Sequence, residues 1–120
     1  MTADELKNQL AHFTGTEQWY KTNEFPWYAF TEGVKFFIEQ TQSPWVLFLA
    51  NDLAGLAEDN RFINLQLEIK DQYVSVRTED GNDNELSPLT IIVPPGEVKI
   101  PNGLWVFWLV DQTLMLPSEY

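Results

Sequence analysis

Seven consecutive apolar residues, Leu104-Trp105-Val106-Phe107-Trp108-Leu109-Val110, constrain this chain more than any other stretch. The run is rich in β-branched and aromatic side chains, so it reads as a strand buried on both faces. Asp111-Gln112 interrupts it and Thr113-Leu114-Met115-Leu116 resumes the apolar pattern, which makes a hairpin. This hairpin is expected to form the heart of a sheet. Alternation puts Leu104, Val106, Trp108 and Val110 on one face and Trp105, Phe107 and Leu109 on the other. Helices packed on one side of a single sheet cover only one of these. The second face must then meet the aromatic stretch 19–30, another chain or a ligand.

Upstream, the period first follows a helix and then a strand. Thr2-Ala3-Asp4-Glu5 fits a capping box, and Leu6, Leu10 and Phe13 share one helical face that Gly15 is expected to end. Thr16 could cap a brief helical turn carrying Trp19 and Tyr20, while Lys21 to Phe30 reads as irregular around Pro26. Thr31 looks like the cap of a second helix running to about Gln42. Ser43-Pro44 then opens a third, with Trp45, Phe48, Leu49, Asp52, Leu53 and Leu56 along one side.

From Phe62 the period is two. Ile63, Leu65, Leu67 and Ile69 alternate with polar residues, Asp71-Gln72 turns, and Tyr73 to Thr78 alternates again. Leu89 to Val93 is a further strand, ended by Pro94-Pro95-Gly96. The expected fold is therefore α+β, with N-terminal helices packed on an antiparallel β-meander of about five strands, in a single domain over 1–120.

Composition narrows the function classes. There is no cysteine, which removes disulfides, thiolate metal sites and cysteine nucleophiles. The N-terminus has no basic segment followed by an apolar run, and no apolar run approaches the roughly 18 residues a membrane span needs. A cytoplasmic protein is the expectation. Eighteen acidic against seven basic residues give a net charge of -11, which disfavours direct contact with nucleic acid or membrane and suits a partner with a basic or apolar surface.

No motif carries a definite chemistry. Asp80, Asn82 and Asn84 match the first ligands of an EF-hand loop, but Glu85 stands where glycine is required and Ile91 where the closing glutamate should be. His12 is the sole histidine, too few for a transition-metal site. No phosphate loop, nucleophile elbow or dinucleotide fingerprint occurs. No catalytic residue, metal or cofactor is assigned. The candidate binding residues are Thr14, Thr16 and Glu17, a small polar turn; Trp19, Tyr20, Trp27 and Tyr28, an aromatic cluster suited to a contact surface; and Asp52, a carboxylate beside an apolar stripe.

Three segments taken together resemble a known family. They are Phe13-Thr14-Gly15-Thr16-Glu17 with Trp19-Tyr20, then Thr31-Glu32-Gly33-Val34-Lys35, then Leu114-Met115-Leu116-Pro117-Ser118-Glu119-Tyr120. In this order they resemble small bacterial proteins, frequent on phages and plasmids, grouped as a domain of unknown function. The resemblance implies a small α+β domain in a mobile-element setting and supplies no activity. Members tend to carry Arg-His after the Trp-Tyr pair, where this chain has Lys21-Thr22-Asn23.

These readings favour a non-enzymatic protein-interaction module, with mimicry of nucleic-acid charge as one form of it. The alternative is a small enzyme or ligand-binding domain with a pocket between helices and sheet, using Glu17, Tyr20, Asp52 or His12. A homodimer through aromatic surface or a sheet edge is a third expectation.

Overall fold

Two Asp-Gln pairs fold the sheet. Asp71 and Gln72 take φ of 50° and 68°, and Asp111 and Gln112 take 47° and 63°. Two successive left-handed residues make the tight turn whose twist matches paired strands. Each pair therefore closes a two-residue hairpin, as the alternation on either side requires.

The structure is a computed structural model, and it describes residues 2–15, 18–23, 28–56, 61–80 and 95–120. In chain order the elements are α1 (Ala3–Leu10), β1 (Trp19–Tyr20), β2 (Ala29–Thr31), α2 (Glu32–Thr41), α3 (Trp45–Leu56), β3 (Phe62–Lys70), β4 (Tyr73–Asp80), β5 (Gly103–Val110) and β6 (Thr113–Met115). Single 3-10 turns occupy Pro95–Glu97 and Pro117–Glu119. The strands form one six-stranded sheet in the order β1-β2-β6-β5-β3-β4. All neighbours are antiparallel except β2 and β6, which run parallel.

The fold class is α+β, as expected, but the sheet is six-stranded and mixed rather than a five-stranded meander. The added strands come from the aromatic stretch. Trp19 and Tyr20 pair with Thr31 and Phe30 instead of riding a helical turn, and Ala29–Thr31 is extended rather than irregular. Strands of two and three residues are too short to show alternation, so nothing in their periodicity announces them. The expected strand at 89–93 and the calcium-like loop beyond Asp80 lie outside the described residues.

The helices begin and end on local chemistry. Thr2 accepts a hydrogen bond from the Glu5 N–H at 3.2 Å and caps α1, which stops at Leu10, short of Phe13. Thr31 caps α2 by accepting from the Val34 N–H, and Gln42 ends it in the left-handed conformation with φ 52°. Ser43 does not cap α3. Its hydroxyl donates back to the Thr41 carbonyl at 3.0 Å, and the helix starts at Trp45.

All three helices contribute to one core. Leu6 of α1, Val34 and Phe37 of α2, and Val46, Leu49 and Leu53 of α3 lie with Ile63, Leu65, Leu67, Trp105, Phe107, Leu109 and Leu114 of the sheet. The Phe37 ring meets Phe107 edge-on at 5.0 Å and Trp105 at 5.5 Å. The prediction that β5 is buried on both faces holds for one face only. Trp105, Phe107 and Leu109 are buried, whereas Val106, Trp108 and Val110 are half-buried and Leu104 is 47% exposed. The helices all spend their apolar faces on the first side, which leaves the second to a thinner cover.

Candidate functional site

The most organised polar cluster joins the two ends of the fold. The carboxylate of Glu119, in the turn after β6, is buried at the N-terminus of α2. Its Oε1 accepts from the Thr31 hydroxyl at 2.6 Å and from the Leu116 N–H at 3.0 Å, and its Oε2 accepts from the Gly33 N–H at 3.2 Å. A helix N-terminus presents unpaired N–H groups and a partial positive charge, so an anion is well placed there. Gly33 is required by the fit: a Cβ at this position would stand 2.6 Å from Glu119 Oε1 and 2.6 Å from Leu116 Cδ1. The Thr31–Val34 and Leu116–Glu119 segments, far apart in the chain, are thus two halves of one clasp.

The candidate residues named from sequence do not gather in one place. Thr14 is exposed just after α1. Thr16, Glu17 and Trp27 lie outside the described residues. Trp19 is 59% exposed and lines a cleft of about 360 Å³ with Lys21, Tyr28 and the Asp111-Gln112 turn. Tyr20 faces a different hollow of about 220 Å³, beside Phe13, Lys35 and Phe36. There its ring stacks on Phe30 at 5.8 Å, and the Lys35 ammonium sits 5.0 Å from its centroid. Asp52 is exposed on α3, and His12 is exposed beyond α1. Neither lines a cleft with Tyr20 among the described residues. No group of three or more potential metal ligands occurs among the described residues.

Sequence reasoning missed Glu119, Gly33 and also Lys7, whose ammonium sits 5.2 Å from the Trp105 ring centroid. The signal for the first two was present, because both stand inside the motifs that carry the family resemblance. Periodicity gives no reason to connect residues so far apart in the chain.

The second face of β5 carries an aromatic row. The Trp108 ring meets Phe62 at 5.1 Å and 63°, and Tyr120 at 5.6 Å and 77°. Cross-strand register places Val110 beside Phe62 and Thr113, and Trp108 beside Asn64 and Met115. The described parts of the stretch 19–30 do not supply this cover. They sit at the β1–β2 edge, and Tyr28 packs into the core with its hydroxyl donating to the Leu47 carbonyl of α3.

Burial also raises the pKa of the Tyr28 hydroxyl well above its ordinary value of 10.0. Folding therefore favours the neutral phenol. Below pH 10 the phenol is neutral in both states and its contribution is whole. As the pH climbs past 10 the unfolded chain ionises first, so stability falls. Melting temperatures taken from pH 9 to pH 11.5 should drop more steeply for the native chain than for Tyr28→Phe. Parallel curves would show that Tyr28 is not desolvated.

The fold and the clasp define a small α+β protein whose C-terminal turn locks onto its second helix. A family model described as a family of unknown function (DUF6876) matches residues 4–120, and the chain belongs to that family. No curated protein and no solved structure matches it. No helix among the described residues is long and apolar enough to cross a membrane.

Proposed function

We propose that this protein is a non-enzymatic interaction module that binds another protein through the outer face of β5. One observation carries this reading. A contiguous apolar patch, from Leu104 through Val106, Trp108 and Val110 to Tyr120, stays partly open, with Leu104 47% and Tyr120 78% exposed. Contiguous exposed apolar surface rimmed by polar residues marks contact sites more often than chance placement does. Trp and Tyr are also the side chains enriched where binding energy concentrates. The partner presents an apolar surface with basic groups around it, since the net charge of -11 attracts cations. A mobile-element origin, which the family resemblance implies, would make that partner a host protein.

Mimicry of nucleic-acid charge has less behind it. Among the described residues the exposed acidic side chains Asp4, Glu5, Glu39, Asp52, Glu68, Asp71, Glu97 and Asp111 are spread over α1, α2, α3, β3, both hairpin tips and the turn at Pro95–Glu97. For the enzyme reading, no cleft among the described residues brings Tyr20, Asp52 and His12 together, and Glu17 lies outside those residues.

The test is affinity capture from a lysate of the source organism at low and high salt, with the native chain beside a Val110→Lys, Tyr120→Asp double variant. Both positions point away from the core, so the variant should melt within a few degrees of the native chain. The expected result is a partner retained by the native chain at both salt levels and lost by the variant. Equal recovery by both chains would sink the assignment to this face, and recovery of nothing at either salt would sink the interaction reading.

A further inference from the structure

The inner hairpin leaves part of its own edge open. β6 pairs with β5 only at Thr113–Met115 against Val110–Trp108. Continuing that register puts Pro117 opposite Val106. Proline has no N–H to give a ladder, and here it starts a turn. That turn carries the Glu119 side chain into the clasp on α2. Opposite Leu104 and Val106, therefore, β6 does not continue as a strand.

The direction of the exposed backbone groups follows from the register. The Asp111 N–H donates to Arg61 O, so Arg61 and Asp111 are a bonded pair. Antiparallel ladders bond at every second residue. Leu109, Phe107 and Trp105 thus spend their N–H and C=O groups on β3, and Val106 and Leu104 point theirs the other way. Among the described residues no backbone hydrogen bond meets them there.

A groove of about 290 Å³ lies along this open edge. Leu10 of α1, Phe37 of α2, Leu116 and Pro117 give it apolar walls. Lys7 stands at it with its ammonium 5.2 Å from the Trp105 ring centroid, and forms no ion pair among the described residues. Among the described residues it is the one charged side chain lining the groove.

We infer that Leu104–Phe107 of β5 accepts an extended peptide as an added strand. The backbone of the peptide bonds to the N–H and C=O groups of Val106 and Leu104. One apolar side chain enters the groove, and a carboxylate side chain faces Lys7. Unpaired ladder groups specify an extended backbone as occupant, the lining specifies the apolar side chain, and the lone ammonium specifies the acid. The peptide uses the backbone edge of Leu104 and Val106, whose side chains belong to the outer face, and this goes beyond the function proposed for that face.

The probe is a display library of random nine-residue peptides selected against the whole chain. Enriched peptides are resynthesised and their affinity measured by fluorescence anisotropy. The expected result is a family of peptides sharing an apolar residue and an acidic one. Single N-methylation should weaken binding at least tenfold at alternate positions only, the signature of strand pairing. Val106→Pro should weaken it at least tenfold as well. It removes the outward N–H without costing a bond to β3, because Val106 does not bond on that side. Lys7→Gln should lower affinity severalfold. The Val110→Lys, Tyr120→Asp variant should bind the peptides as the native chain does, which distinguishes peptide binding at this edge from the partner contact proposed for the outer face.

The inference is overturned if no peptide is enriched above bare resin, or if N-methylation is tolerated at every position. The N-methyl series uses the native chain, so it decides the matter even if Val106→Pro fails to fold. Sedimentation as a dimer that Val106→Pro dissociates would also overturn it, since the edge would then serve a second copy of this chain.

Discussion

Glu119→Ala should cost about 3 kcal/mol of folding stability, and at roughly 4 °C per kcal/mol for a chain of this length should lower the melting temperature by about 12 °C. The substitution leaves the Thr31 hydroxyl and the N–H groups of Gly33 and Leu116 buried without their acceptor. Hydrogen bonds to a charged group contribute more than neutral ones, and unpaired buried donors carry the full desolvation penalty. The N-terminus of α2 also loses the anion that complements its dipole. Glu119→Gln should cost less, about 1.5 kcal/mol, because the amide keeps one acceptor oxygen but turns an NH2 toward a donor. Glu119→Gln as stable as the native chain would show that the carboxylate is not engaged as described.

Gly33 gives the same clasp an independent check. In a solvent-facing helix Gly→Ala gains about 1 kcal/mol. Here the new methyl collides with Glu119 Oε1 and Leu116 Cδ1. Both are side-chain ends, but Oε1 is held by Thr31 and Leu116, so moving it breaks bonds to a charge. Gly33→Ala should therefore destabilise the native chain, and much less so a chain already carrying Glu119→Ala. Additive effects of the two changes would mean that they do not meet.

The clasp also shows where sequence reading reaches its limit. Local rules recovered what local chemistry dictates. Thr2 and Thr31 cap their helices, Gln42 ends α2, and the Asp-Gln pairs turn their hairpins. Each depends on residues within four positions. The alternation from Ile63 to Ile69 correctly gave the buried face of β3, because one side of that strand faces the core along its whole length. The same logic misread β5. A run with no polar residue cannot say which face is buried more, and Leu104 to Val110 has apolar side chains on both. β1 and β2 went unseen because two or three residues carry no period, and their strand identity is imposed by β6.

The candidate site was harder still. Trp19, Tyr20 and Tyr28 are near neighbours in sequence, yet Trp19 and Tyr28 face one cleft and Tyr20 another. Successive strand residues point to opposite sides, so an aromatic cluster in sequence divides in space. Glu119 and Lys7 gain their roles from partners across the fold. Pro117 is the instructive case. Its presence was plain, but its consequence, an open edge opposite Val106, needs the register of β6 against β5.

Phe37→Ala should be the most damaging single substitution in the core, at about 4 kcal/mol and roughly 16 °C in melting temperature. Phe37 is fully buried and lies where α2 meets β5, with its ring against Phe107 and Trp105. Removing it loses the transfer energy of a large ring and leaves a cavity that two aromatic neighbours, each fixed in the sheet, cannot close. Trp105 is further restrained by its indole N–H, which donates to the Pro101 carbonyl at 2.8 Å, so it cannot swing into the space. The control is Tyr73→Ala, whose side chain is 71% exposed on β4 and should change stability by no more than about 0.5 kcal/mol. Denaturant titration of both variants checks the contrast. Similar midpoints for the two would mean that α2 does not pack on β5 through this ring. Because Phe37 also walls the groove beside Leu104 and Val106, a Phe37→Ala chain that still folds should bind groove peptides with a larger apolar side chain than the native chain accepts.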